Sequence, residues 1–262
     1  MILSQKTNAK QKTVFQVPPY SVLASFYDRL MSHVNYNGWA DFVLRAARVH
    51  GFAGKTLVDI ACGTGTLGHR LYEKGFDFYG CDGSQSMVTV ARKKFGKLAR
   101  NRRLACADMR ALPFKPPADL VISLYDSMNY LMTSGDWQRC INQVAGLLRP
   151  GGLFIFDVST VSNSREAFSN YHYEDSSKVG QLKRTCRYDE KRMVQYNHFE
   201  IQLRDKRQII YEEVHHQRIR PLSEIEQMLR DGPLRPLATY SGFTLQEGRE
   251  EAERVHYVLQ KP

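Results

Sequence analysis

The sequence predicts an α/β protein, a doubly wound and mostly parallel sheet of seven strands with the last antiparallel, carrying an inserted antiparallel β-sheet. Three observations carry that prediction. From Thr56 to Val158, short apolar runs alternate with segments of helical periodicity, the pattern of a parallel sheet covered by helices on both faces. The first run, Val58-Asp59-Ile60, leads into Ala61-Cys62-Gly63-Thr64-Gly65, a glycine-rich turn between a strand and a helix. The stretch from Ser159 to Arg220 falls where a short crossover would suffice, and its aromatic and β-branched runs broken by polar turns read as extra strands.

In chain order, residues 1–18 are polar and read as a disordered tail. Tyr20 to His50 reads as a helical lead-in ending near Gly51, with Trp39, Phe42, Val43 and Ala46 on one stripe, so Trp39 is expected in the core. The main domain is expected over residues 19–158 and 221–262. Its strands after the first are Phe76 to Asp82, Leu104 to Met109, Ala118 to Leu124 and Leu153 to Val158, with Phe243 to Gln246 and Val255 to Leu259 as the last two. Trp137, Cys140, Ile141, Val144, Leu147 and Leu148 form an apolar helix face that Arg149-Pro150-Gly151-Gly152 stops. The insertion, residues 159–220, offers Val179 to Tyr188, Met193 to Leu203 and Gln208 to Arg218, separated by turns at Asp189-Glu190-Lys191 and Asp205-Lys206. It is expected to contact the substrate or a second subunit and to leave the cofactor site intact. Ser223-Glu224-Ile225-Glu226 then opens a helix with a capping box.

The glycines at 63 and 65 let the backbone turn sharply and approach a ligand. With Gly68 they also spell a generic dinucleotide pattern, but Asp59 argues against that ligand, because a carboxylate just before the glycines would repel a pyrophosphate. It would attract the cationic methionine part of S-adenosylmethionine. Asp82 lies close to the spacing, about twenty residues, at which a carboxylate meets ribose hydroxyls. Gly83-Ser84-Gln85-Ser86-Met87 reads as a helix start with Met87 against an adenine face, and Asp108-Met109 ends the next strand where an acid can accept from the adenine amino group.

These segments resemble the class I S-adenosylmethionine-dependent methyltransferases. Val58 to Leu67, Cys81 to Met87 and Ala107 to Met109 match successive cofactor motifs of that superfamily, as do Ala118 to Leu124 and Leu147 to Asp157. The resemblance implies a Rossmann-like sheet, release of S-adenosylhomocysteine, and a cofactor site from Asp59, Ala61, Cys62, Gly63, Gly65, Asp82, Gly83, Met87, Asp108, Met109 and Leu124. Ala61 stands where many members have glycine. Tyr27-Asp28, Tyr36 to Trp39 and Glu212 to Arg218 look like a bacterial small-molecule branch, similar in outline to glycine N-methyltransferases and sugar-amine N,N-dimethyltransferases. In that branch tyrosines of the lead-in close over the cofactor, which implies Tyr27 and Tyr20 near the sulfonium, where an aromatic face or phenol oxygen stabilises a cation.

Methyl transfer is an in-line displacement, so the protein chiefly aligns the reactants and excludes water, and no metal is required. An amine acceptor must lose a proton before attack. Asp126, just past the fourth strand, is the first candidate for an acceptor contact, weighed against a helix-capping role. His215 and His216 are adjacent on a strand and face opposite sides, so one at most looks into the site; His215 is the candidate proton acceptor, against an ordinary sheet-surface role.

The 262 residues carry a formal net charge of +10, with Arg92, Lys93, Lys94, Lys97, Arg100, Arg102 and Arg103 crowded into one segment. A solvated helix face is the plain reading of that run, and an RNA methyltransferase with a basic footprint is the rival. No RNA-binding module or Asn/Asp-Pro-Pro-aromatic element accompanies it. A second rival is a non-catalytic S-adenosylmethionine-binding regulatory protein. The five cysteines include no close pair and read as small buried side chains, without disulfide or zinc. With no run of roughly 18 to 20 apolar residues and no apolar leader, a cytoplasmic enzyme, monomer or homodimer, is expected, its partner a small-molecule acceptor methylated on nitrogen in preference to oxygen.

Overall fold

The computed structural model describes residues 12–97, 103–115 and 117–262. Its main sheet contains β2 (Thr56–Asp59), β3 (Asp77–Asp82), β4 (Leu104–Cys106), β5 (Ala118–Ser123), β6 (Leu148–Ser159), β11 (Arg235–Ser241) and β12 (Arg254–Gln260). They lie in the order β11-β12-β6-β5-β2-β3-β4. β2 to β6 run parallel, while β12 is antiparallel to both β6 and β11. The order reverses at β2, between β3 and β5, which opens a crevice at the carboxyl ends of these strands.

Helices cover both faces because successive strand residues point to opposite sides. On one face α5 (Ser134–Leu147) and α7 (Leu222–Arg230) pack Trp137, Ile141, Val144, Ile225 and Leu229 against Val121, Phe154, Phe156 and Tyr257. On the other, α2 (Tyr36–Val49), α3 (Thr66–Glu73) and α4 (Gln85–Phe95) pack Phe42, Val43, Leu71 and Val88 against Leu57, Phe78, Leu120 and Ile122. Asn35 caps α2, Ser84 caps α4, and Thr133 with Asp136 closes a capping box on α5.

The second sheet has the order β1-β10-β9-β8-β7, from β1 (Thr13–Gln16), β7 (Tyr171–Ser176), β8 (Gly180–Asp189), β9 (Val194–Leu203) and β10 (Ile209–Arg218). The short α6 (Val161–Ala167) leads into it, and α1 (Ala24–Leu30) packs Leu23 and Phe26 on its Leu182, Phe199 and Ile201.

Several expectations need correction. Residues 13–16 are a strand in parallel register with Ile209 to Glu212, because the β10 edge offers them backbone partners; residues 1–11 of the expected tail lie outside the described residues. The sixth strand of the main sheet is β11, and residues 243–246 form the turn after it. Pro236 disguised it, yet an edge strand tolerates proline because only one side of it is paired. Ser223 is not a cap: α7 starts at Leu222, whose N–H donates to Glu250. Cys106 is exposed, unlike the other four cysteines. Among the described residues no helix is long and apolar enough to cross a membrane.

Candidate functional site

A cavity of about 610 Å³ opens at the carboxyl ends of β2, β3 and β5. Its floor is the turn from β2 into α3, with Asp59, Ala61, Cys62 and Gly63 in the wall. Gly63 and Gly65 have φ of +54° and +75°, left-handed values that exclude most side chains. A Cβ on Gly63 would meet only the Tyr27 ring, at 4.0 Å, and one on Gly83 would meet nothing within 4 Å, so both absent side chains leave room for a ligand. Gly65 has a different reason to be glycine. It does not line the cavity, and a Cβ there would come within 2.9 Å of the Phe95 ring, so it serves the packing of α3 on α4.

Two carboxylates are fixed at this floor by backbone amides. Asp82 accepts from Gly63 N–H at 2.9 Å and Ser84 N–H at 2.8 Å; Asp59 accepts from Ala61 N–H at 3.0 Å. Burial raises both carboxyls above the usual carboxylate range, Asp59 to about 7. Farther along, Met87, Asp108 and Met109 line the wall. Asp108 is already engaged on one side: Arg110 donates to it from its backbone and guanidinium and also reaches Asp136 at 2.6 Å, holding both acids below their usual range.

The other end is aromatic. Tyr20, Tyr27, Tyr36, Trp39, Tyr125 and Tyr130 line it with Leu124, beneath Pro18 and Pro19. Burial pushes the phenols up, Tyr125 to about 12 and Tyr20 and Tyr27 well above the usual tyrosine value, so they stay protonated at neutral pH. Trp39, expected only in the core, is buried and also forms cavity wall. The Arg254 guanidinium lies 5.0 Å from the ring centres of both Trp39 and Tyr125.

Neither catalytic candidate lines the cavity. Asp126, at φ +61°, turns its carboxylate to Arg254 at 3.3 Å and gives its N–H to Asp157; burial raises its carboxyl to about 6, and the ion pair meets a buried carboxylate's need for a cation. His215 faces inward but stops one residue short, its Nδ1 2.9 Å from the Tyr130 hydroxyl and its Nε2 3.0 Å from Glu213. Sequence reading places Tyr125 and Tyr130 in the segment where an acceptor would approach but assigns the contact to Asp126, and it misses Arg110 and Thr64, whose partners Asp136 and Asp28 lie on other elements.

The basic run is also only partly a solvated face. Lys94 reaches Asp28 of α1 at 3.0 Å and the Thr66 hydroxyl at the start of α3, Arg92 donates to the Leu104 carbonyl, and Arg103 pairs with Asp77. Lys93 and Lys97 are exposed, and Arg100 and Arg102 lie outside the described residues. Among the described residues no group of three or more His, Cys, Asp or Glu side chains could hold a metal ion.

The crevice at the switch point of a doubly wound sheet is the place where folds of this architecture bind their ligands, nucleotide cofactors among them. Comparison with known proteins makes that class specific. Residues 57–152 match a methyltransferase domain family. A Bacillus subtilis strain 168 protein, YqeM, described as a methyltransferase, is 29% identical over 92% of this chain and 97% of its own length. The crystal structure of an S-adenosylmethionine-dependent methyltransferase from Clostridium acetobutylicum superposes with a TM-score of 0.75 at 26% identity, covering 91% of this chain and 97% of that one. The sugar N-methyltransferase KedS8 from a Streptoalloteichus species shares the fold over the whole of both chains, with a TM-score of 0.72 at 18% identity. The domain match and these likenesses all indicate a class I S-adenosylmethionine-dependent methyltransferase.

Proposed function

We propose that this enzyme methylates a small-molecule acceptor, on nitrogen in preference to oxygen. One observation carries the reading: the cavity of a strongly basic protein is itself acidic and aromatic. Among the described residues its wall holds Asp59, Asp82, Asp108 and Asp136 against one cation, Arg110, together with the tyrosine cluster. Such a lining favours cations, a sulfonium or an ammonium, and disfavours the phosphates of a nucleic acid.

The residues fit the cofactor. In this reading Asp82 takes the ribose hydroxyls, Asp59 faces the ammonium of the methionine part, and Met87 and Met109 flank the adenine. The open space over Gly63 and Gly83 gives the ligand backbone-close passage. The cofactor, when bound, supplies a methyl group activated by its sulfonium. Tyr20 and Tyr27 present rings and phenol oxygens to that charge, and Pro18, Pro19 and the tyrosines shut out water. Asp126 and His215 act on the acceptor only through their neighbours, since neither reaches the wall.

The test is incubation of the protein with isotope-labelled S-adenosylmethionine and a fractionated cell extract, followed by mass spectrometry. We expect label in a small amine. Label confined to RNA would replace this reading by the nucleic-acid one, and tight cofactor binding with no labelled product in any fraction would favour a regulatory protein.

A further inference from the structure

A buried hydrogen-bonded chain runs from the second sheet to the cavity wall. Glu213, fully buried, accepts from three backbone amides of the lead-in, Tyr20 at 2.6 Å, Val22 at 2.7 Å and Leu23 at 2.9 Å. The His215 Nε2 stands 3.0 Å from the same carboxylate. Beyond it, His215 Nδ1 is 2.9 Å from the Tyr130 hydroxyl, which is 2.6 Å from the Tyr20 hydroxyl. Tyr20 and Tyr130 line the cavity, whereas Glu213 and His215 do not.

The direction of every bond in this chain follows from its buried end. Three obligate N–H donors on the two oxygens favour the charged, accepting form of the carboxylate, so the fourth contact is one that His215 Nε2 donates. Burial lowers the basicity of His215, which keeps it neutral, so its Nδ1 is an acceptor. Tyr130 therefore donates to His215, and Tyr20 donates to Tyr130. Both phenol protons are then used within the chain, so the two cavity-lining hydroxyls have only oxygen lone pairs left to offer a ligand.

We infer that Glu213 and His215 are positioning residues that fix the hydrogen-bond polarity of the cavity wall, so that Tyr20 and Tyr130 accept from a ligand and the site takes a nucleophile bearing N–H or O–H. This rests on the methyltransferase reading of the cavity and adds a selection rule to it. A tertiary amine, which has no proton to offer when neutral, meets two acceptors and no donor. A primary or secondary amine is held through its N–H while its lone pair stays free for the methyl group.

Two measurements test it without knowledge of the acceptor. Nitrogen-15 NMR of histidine-labelled protein at pH 7 should show His215, assigned by its loss in His215→Phe, as the neutral Nε2–H tautomer. The imidazolium form or the Nδ1–H tautomer would overturn the inference. The second measurement is calorimetry with S-adenosylhomocysteine and with sinefungin, an analogue whose amine stands where the methylsulfonium would be. In the wild type, sinefungin should gain from the acceptor wall. In Tyr20→Phe and Tyr130→Phe the ratio of the sinefungin affinity to the S-adenosylhomocysteine affinity should fall by about tenfold, the effect of one hydrogen bond to a charged donor. A ratio unmoved in both folded variants would sink the inference and leave the cofactor reading standing. Failure of the wild type to bind either ligand would sink both.

Discussion

At Asp59, burial and ionisation oppose each other, and among the described residues no cation pairs with it. Burial pushes its carboxyl up to about 7 in the folded chain against roughly 3.9 unfolded. Between those values the native state holds a proton that the unfolded chain has released, so this group's effect on stability worsens as pH rises from about 4 to 7 and levels off above. The full cost is about 4 kcal/mol by linkage. Asp59→Asn should thus raise the unliganded thermal midpoint at pH 8 and leave it unchanged at pH 4, by calorimetry. If the carboxylate faces a ligand ammonium, S-adenosylhomocysteine should bind about tenfold more weakly at pH 6 than at pH 8, and the asparagine variant should lose that dependence. Asp82→Ala should weaken the same ligand by about 1.5 to 3 kcal/mol, as for charged hydrogen bonds lost at a buried site; unchanged affinity in a folded variant removes the ribose role. Both acids are legible from sequence because their meaning is local, a strand end beside a glycine turn. Asp126 is legible only in part, since the cation that claims it, Arg254, comes from another strand of the fold.

At the scale of elements, the lead-in from β1 through α1 is a strap fastened on two sides. Glu213 holds its backbone at residues 20, 22 and 23, and Lys94 with Thr64 and Thr66 holds Asp28 at the far end. The helical period of α2 and the alternation of β8 to β10 are readable from sequence, but the strap is not, because its hydrogen bonds join residues about 190 apart. It changes what the second sheet is expected to do. Replacing residues 164–218 with a short linker removes Glu213 and frees the strap, so cofactor affinity should fall by more than about tenfold, or 1.4 kcal/mol. Retention of near-wild-type binding in that folded variant would show the strap to be self-supporting. Within α4 the effects should separate: Lys94→Gln should weaken S-adenosylhomocysteine by about threefold to tenfold, and the exposed Lys93 and Lys97 should tolerate glutamine with changes of a few tenths of a kcal/mol.

For the molecule as a whole, the excess of positive charge lies outside an acidic cavity. Electrostatic association with RNA should then be weak and sequence-blind, lost between 50 and 200 mM salt, with no methyl incorporation. A filter-binding titration at those two salt concentrations, run beside a methylation assay on the same RNA, decides it; a salt-resistant, sequence-selective complex that also takes up label would contradict the small-molecule reading. The parallel sheet order was foreseeable because alternating strand and helix segments admit few arrangements. The proline-bearing edge strand β11 was not, since edge pairing relaxes the rule that sequence reading applies to strands.

The pairing of β1 with β10 has a consequence for biosynthesis. Thr13 finds its partner at Ile209, and Tyr20 finds its carboxylate at residue 213. At translation rates of about 5 to 20 residues per second, the first strand waits on the order of 10 to 40 s before that partner has been made. The central sheet up to β6 can assemble during that interval with its crevice unroofed, and the strap closes late. Ribosome-stalled chains ending before residue 209 should therefore leave the lead-in open to protease, and chains ending after β12 should protect it.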